Sequence, residues 1–352
     1  MVKMEKFAEF ITEEKDEPYR LMLIIYDDPL DPNKTGEEIE KEWAKNNNPK
    51  DFYQFEINKG YFTQNEKGNY VAHIYIKDND NRRNVKPDPK SSEEEHDKKG
   101  WEIIPENTVV VIRGSKGDRT SRYTEMLRLK NVFMVNTRKT MEMCNDKWLN
   151  YIYFKEAGLQ QPKTSLITSV ETLEIPIKEV GGKYPMILKT AQGTQGVGVI
   201  FIDSKQTLLA TMQLVNKIDE NIAMLIQEYI KTSYDVRVMV LNNEIIGQLK
   251  RPVISGDFRS NVSQGSLPLK MELTELEKSE TLKAVKAVKG IWVGVDFIPS
   301  KDREKIPPYF IEINSSPGTG YINDNNNIII QKMILDTFKN RDNWNLDKST
   351  ET

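Results

Sequence analysis

Two apolar segments near the C-terminal end, VGVDFI at 293 to 298 and YFIEIN at 309 to 314, each carry a carboxylate. Few features constrain a fold more, because taking an unpaired carboxylate out of water costs several kcal/mol. Side chains alternate faces along a strand, which predicts Ile311 and Ile313 on one face and Phe310, Glu312 and Asn314 on the other. Asp296, Glu312 and Asn314 therefore need a cation or strong donors. An oxygen-only set with a Glu and an Asn on one strand face suits Mg²⁺, which takes few protein ligands and completes its shell with phosphate and water. Pairing with arginines is the structural alternative.

At 352 residues the chain is too long for one ordinary core, so two or three domains are expected. Charged residues make up 29% of it but the formal net charge is only -3, so no basic excess points to nucleic acid. No apolar run approaches the ~20 residues of a membrane span, and the first thirty residues lack the order of a signal peptide, which predicts a cytoplasmic protein. The single cysteine, Cys144, forms no internal disulfide and belongs to no zinc-ligand spacing.

LMLIIYDD at 21 to 28 reads as a strand, 35 to 46 as a helix around Ile39 and Trp43, and DFYQFEI with YVAHIYI as a second strand pair. The polar segment 77 to 100 has almost nothing to bury and reads as a surface insertion. TVVVIRG, a helix over RTSRYTEMLRLKN and then VFMVN complete a small parallel α/β domain, residues 1–138. A helix over DKWLNYIYFKEAG follows, with Asp146 as N-cap, Gly158 as stop, and Leu149, Ile152, Tyr153 and Ala157 on its inward stripe. Strands PMILKT and GVGVIFI, a helix with Leu208, Met212 and Val215 inward, and strands MLIQEYI, VRVMVLN and EIIGQLK come next, the last two joined at Asn242 and Asn243. Thr274 and Glu277 form a capping-box pattern before a helix closed by Gly290, and IIIQKMILDTFKN reads as a final helix. Residues 341–352 are a polar tail expected to fray.

The connection AQGTQGVG places Gly193, Gly196 and Gly198 between two strands. Glycine amides can converge on an anion without side-chain interference, although such a loop is equally a plain turn and matches neither a Walker nor a dinucleotide pattern. Lys189 ends the strand before it, close to whatever the amides bind, or else reaches for solvent. Lys147 sits in the first turn of a helix, where a cation opposes the macrodipole unless an anion is near. Between 233 and 261 lie Asp235, Arg237, Arg251, Asp257, Arg259 and Asn261; guanidinium forks suit phosphate and carboxylate oxygens, and ion pairs with the two aspartates are at least as natural.

Taken in order, LIQEYI, GDFRSN and GVDFI followed by EINSSPG resemble the ATP-grasp superfamily, and within it the RimK-type carboxylate-amine ligases that add glutamate to a ribosomal protein, over roughly residues 105 to 335. The resemblance implies an ATP-grasp fold behind the small α/β domain, with a central subdomain at 139–226 and a C-terminal subdomain at 227–340. It implies Lys147, Lys189 and the glycine loop on ATP phosphates, Glu228 and Tyr229 at the adenine, Asp235, Arg259, Ser260 and Asn261 at ATP-contacting positions, and Asp296, Glu312 and Asn314 on two Mg²⁺, with Glu312 bridging. Mn²⁺ as a substitute ion and a homo-oligomer stay open.

The chemistry so implied is amide formation through an acylphosphate, with Arg259 stabilising the anion and Arg237 and Arg251 as helpers. The acceptor would be an amino acid or a peptide or protein terminus. The chain departs from the RimK-type pattern at Val262 to Ser266, at Pro252 and at Thr319 and Gly320, all towards the acceptor side. An ATP-grasp kinase and a non-catalytic ATP-binding regulator are the alternative expectations.

Overall fold

The computed structural model describes residues 20–25, 34–47, 51–57, 60–74, 101–113, 118–192, 198–219, 221–253 and 267–344. The 77 to 100 insertion, Gly193, Gly196, Asp257, Arg259, Ser260 and Asn261 lie outside them. The chain divides into two units, Met1–Val135 with Leu335–Thr352, and Asn136–Ile334.

In the first unit come β1 (Arg20–Ile25), α1 (Lys34–Asn46), β2 (Phe52–Glu56), β3 (Gly60–Gln64), β4 (Tyr70–Ile74), β5 (Trp101–Glu102), β6 (Thr108–Arg113), α2 (Asp118–Leu129) and β7 (Phe133–Val135). β2, β1, β6 and β7 form a parallel sheet in that order. Every residue of β6 is buried, which is why TVVVIR reads as an unbroken apolar run. The expected pairing of the segments near 52 and 70 is not formed. β2 joins the parallel sheet beside β1, and β4 pairs with β3, an element the periodicity missed. A local turn decides this: Gly68, at φ +76, returns its N–H to Asn65, so the nearest strand in sequence captures β4. The tail also begins ordered, since Trp344 stacks on Phe133 with ring centroids 5.8 Å apart and donates to the Phe338 carbonyl.

The second unit contains α3 (Arg138–Asn145), α4 (Lys147–Glu156), β8 (Thr164–Ile167), α5 (Glu174–Glu179), β9 (Met186–Thr190), β10 (Val199–Ile202), α6 (Lys205–Ile218), β11 (Met224–Glu228), β12 (Tyr234–Leu241), β13 (Glu244–Pro252), α7 (Glu275–Ala287), β14 (Trp292–Ile298), β15 (Tyr309–Asn314), α8 (Gly320–Asn326) and α9 (Ile330–Lys339), whose second half belongs to the first unit. Two four-stranded sheets organise it, ordered β10-β9-β11-β8 and β13-β12-β14-β15, with antiparallel neighbours in both. Each has one apolar face. Met186, Leu188, Met224 and Ile226 of the first pack on Leu208 and Met212 of α6. Val236, Val238, Val295 and Ile313 of the second pack on Phe154 of α4 and Ala284 of α7. Each such large side chain contributes about 1.5–3 kcal/mol by leaving water, enough to fix which face of each strand turns inward.

Caps and turns fall where sequence places them. Ser204 accepts from Thr207 N, Thr274 and Glu277 complete the capping box of α7, and Asn242 and Asn243 take φ of 48° and 68° in the β12–β13 hairpin. Two expectations are corrected. The inward face of α4 runs through Asn150 and Phe154, with Tyr153 and Ala157 packed beside them as expected, while Leu149 is exposed. And β15 is not a simple alternation: Asp296 faces Glu312 but Phe297 faces Phe310, so Ile311 is an extra residue in a bulge. The bulge lets Phe310 join Ile313 in the core while Glu312 and Asn314 share the opposite face.

Candidate active site

Turning the even-numbered residues of β9 and β11 into the core leaves Ile187, Lys189, Leu225 and Gln227 on the other face. Lys189 is only 5% exposed there, and its Nζ donates to Gln227 Oε1 at 3.1 Å. Burial pushes its ammonium down to about 8; Glu312 acts to raise it again, and Lys147 to lower it further. Glu312 of β15 and Lys147 of α4, which sequence marked separately, thus act on the charge of Lys189.

Lys147 opens α4 and is fixed by its backbone. Asp146 accepts from the N–H groups of Trp148 and Leu149 at 2.8 and 3.1 Å, and Lys147 N donates to the Ala191 carbonyl at 2.8 Å. An isolated bridge between Asp146 and Gln192 extends the tie, so the start of α4 is attached to the end of β9 where the glycine connection leaves. At the other end of that connection Gly198 has φ +77, and a Cβ there would lie 2.9 Å from Thr190 Oγ1. Only glycine lets the two strands close at that point.

Glu228, at the end of β11, accepts from Lys163 N at 3.3 Å through its side chain while its own N–H donates to the Lys163 carbonyl. Tyr229 lies edge-on to Phe201 with centroids 5.3 Å apart, giving the sheet edge an aromatic pair.

The second sheet carries a row of charge. Arg237, Asp296 and Glu312 stand in register across β12, β14 and β15. Arg237 holds both Asp296 oxygens at 2.7 and 2.6 Å, and Arg251 holds both Asp235 oxygens at the same distances while also reaching Asp296 at 3.0 Å. Burial alone would push the Asp296 carboxyl up; Arg237 and Arg251 outweigh it and hold the group below the ordinary carboxylate range. Asp235 and Arg251 are buried at 5% and 4% exposure, so the arginine is committed to these two carboxylates. Arg237 is the more open of the two arginines.

Glu312 and Asn314 are half-buried, and Asn314 Nδ2 donates to Glu312 Oε1 at 3.1 Å, turning the amide oxygen away from that contact. Among the described residues no three of His, Cys, Asp and Glu gather as a metal group. A divalent ion at this strand would therefore rest on the Glu312 carboxylate, the Asn314 amide oxygen, a share of Asp296 and oxygens of a bound phosphate. That hard, sparse donor set fits Mg²⁺.

Residues 144–338 match the RimK-like ATP-grasp domain. The chain belongs to the RimK-like ATP-grasp family. It is thereby an ATP-dependent carboxylate-amine ligase, forming C–N bonds with release of ADP, and ATP and Mg²⁺ are the family's requirements. A probable alpha-L-glutamate ligase of Coxiella burnetii (strain Dugway 5J108-111) is 31% identical over 222 residues, covering 62% of this chain and 70% of the relative. The ATP-grasp ligase PsnB complexed with minimal precursor superposes with a TM-score of 0.62 at 16% identity, over 91% of this chain and 98% of that one. The macrocyclase MdnC bound with precursor peptide MdnA from Microcystis aeruginosa MRC gives 0.61 at 14% identity, over 92% and 99%. Those two likenesses carry the ATP-grasp fold into the N-terminal region, which the RimK-like match leaves out.

Sequence reasoning missed Gln227, Thr164 and Asn150. Gln227 and Thr164 hold Lys189 by a chain of hydrogen bonds, and Asn150 accepts from the N–H of Ile313, the residue between Glu312 and Asn314, at 2.8 Å. The available signal was polarity out of place: a glutamine inside LIQEYI, and an asparagine four residues before Phe154 on a helix. Among the described residues no helix is long and apolar enough to cross a membrane.

Proposed function

We propose that this RimK-like ligase joins an amino acid to the terminus of a peptide or protein, working in the cytoplasm. The observation that carries the reading is a lysine buried on β9 and held by the neutral amide of Gln227, its charge acted on by Glu312 of β15 and Lys147 of α4, which supports a phosphate-binding role for it. The names of the relatives support an amino acid and a peptide as substrates: one is a probable alpha-L-glutamate ligase, one structure is an ATP-grasp ligase with a minimal precursor, and another is a macrocyclase bound with a precursor peptide.

In this reading the central subdomain spans 139–226 and the C-terminal subdomain 227–340. Lys147, Lys189 and the glycines at 193, 196 and 198 hold phosphates, Glu228 and Tyr229 border the adenine, and Asp235 with Arg259, Ser260 and Asn261 completes the nucleotide site. Asp296, Glu312 and Asn314 would hold two Mg²⁺, which when bound supply charge neutralisation at the phosphate oxygens. A substrate carboxylate oxygen attacks the γ-phosphorus, the β–γ P–O bond breaks, and an acylphosphate and ADP result. The incoming amine then attacks the acyl carbon, loses a proton and expels phosphate as the C–O bond breaks. Arg259 steadies the anion formed in this step, Arg237 assists from its open position, and Arg251 acts from behind by fixing Asp296.

Incubation with ATP, Mg²⁺, amino acids and short peptides, followed by mass measurement, should show an amide product with one ADP and one phosphate per bond. Amide formation between free amino acids alone, or ATP turnover with no peptide product across all sets, sinks the terminus reading. Glu312→Gln should lower kcat by about 100-fold or more.

A further inference from the structure

Lys189, Gln227 and Thr164 lie on neighbouring strands of one sheet face and form a directed chain of hydrogen bonds. Lys189 Nζ donates to Gln227 Oε1 at 3.1 Å, Gln227 Nε2 donates to Thr164 Oγ1 at 2.6 Å, and Thr164 Oγ1 donates to the Pro162 carbonyl at 2.9 Å. All three side chains belong to buried residues. A glutamine amide can turn either end towards a neighbour, but only its oxygen attracts an ammonium. The threonine hydroxyl has one proton, given to Pro162, so towards Gln227 it can only accept. That forces the NH₂ end of the amide onto Thr164 and the oxygen onto Lys189. The anchor is a backbone carbonyl, which cannot rotate away.

We propose that Gln227, oriented by Thr164, is the positioning residue of Lys189, a neutral arm that aims the buried ammonium at the nucleotide without neutralising it. This rests on Lys189 being a phosphate ligand. A neutral holder matters because Lys189 already feels one charge of each sign, Glu312 of β15 and Lys147 of α4. A carboxylate at position 227 would take the lysine into an ion pair and compete with the phosphate for it. Losing the Thr164 acceptor would let the amide turn, putting its NH₂ against the ammonium and favouring the deprotonated lysine.

The test is calorimetric binding of ATP with Mg²⁺ to the full chain between pH 6.5 and 9.5, for wild type, Thr164→Val, Thr164→Ser, Gln227→Glu and Lys189→Met. Wild type should lose affinity above pH about 8, where Lys189 loses its proton. Thr164→Val should move that limb down by about one pH unit and weaken ATP binding near pH 8 by about tenfold, and Thr164→Ser should restore both. Gln227→Glu should move the limb up and weaken binding at pH 7. If Thr164→Val and Gln227→Glu leave the limb where wild type has it while Lys189→Met abolishes binding, the positioning role is overturned and the phosphate role stands. If Lys189→Met binds ATP as wild type does, with the same limb, the phosphate role itself is overturned. Gln227→Glu and Thr164→Ser nearly preserve shape, so the limb stays measurable even if Thr164→Val fails to fold.

Discussion

The two sheets of the second unit hold their buried charge in opposite ways. On β12 to β15, Arg237, Asp296, Arg251 and Asp235 alternate in sign, and each guanidinium grips a carboxylate with two bonds. On β8 to β11 a single lysine is buried against a neutral amide. Paired charges satisfy one another and make a rigid floor; a charge held by a neutral partner stays under-compensated and available to a ligand. In the proposed site the first arrangement spends most of its electrostatics on structure, leaving Arg237 and a share of Asp296 to face the ligand, and the second reserves its lysine for the nucleotide.

The largest effect should come from unbalancing the paired sheet. Arg251→Met takes both guanidinium bonds from Asp235 at 5% exposure and should cost about 3–5 kcal/mol in urea unfolding, whereas removing a surface ion pair such as Arg138–Glu142 should cost under about 1 kcal/mol. The same pairing has a pH signature. Because the Asp296 carboxyl is held below its ordinary 3.8, its contribution to stability is present above that pH and drains away as pH falls through the lower folded value.

On the lysine sheet stability should also rise with pH, but because the fold opposes the charge, so that removing it stabilises instead of destabilising. A lysine lowered from 10.5 to about 8 binds fewer protons folded than unfolded across that window, so stability of the nucleotide-free protein should rise with pH between the two values. Lys189→Met should abolish that rise, which amounts to about 3 kcal/mol, and should be the more stable protein at pH 7. A variant with a wild-type pH dependence would mean that the lysine is not held as a strained charge.

Asn150 connects the helix bearing Lys147 to the strand bearing Glu312 and Asn314. Asn150→Ala leaves the Ile313 N–H and the Met143 carbonyl without this partner and should cost about 2 kcal/mol in stability, with Mg²⁺ required at higher concentration for ATP binding. The smallest effect should follow Thr274→Ala, which removes the capping box of α7 behind the paired sheet: about 1 kcal/mol by thermal unfolding, with the Mg²⁺ dependence of ATP binding unchanged.

Much of the proposed site was legible along the chain because its parts sit at element ends, where composition speaks. Lys189 ends a strand before three glycines, Asp146 caps the helix of Lys147, and Glu312 and Asn314 interrupt an apolar strand. Asn150, Gln227 and Thr164 were not legible, since each acts through a partner far along the chain whose place only the fold sets; the Lys189–Gln227 contact spans 38 positions, the Gln227–Thr164 contact 63 and the Asn150–Ile313 contact 163. The pairing of β4 with β3 was missed for a related reason: several apolar segments could serve as its partner, and a four-residue turn chose among them.

By itself the sequence determined the elements, the family and the order of the chemical groups, because periodicity, caps and motif spacing are properties of neighbouring residues. Only the tertiary structure decided what FIEIN presents. Strict alternation would send Phe310 to the same face as Glu312 and Asn314; the bulge at Ile311 lets the phenylalanine ring reach the core and keeps the two oxygen-bearing side chains together beside Asp296. Register across strands follows from the packing of the whole sheet, and a one-residue slip there is worth every buried side chain on the face.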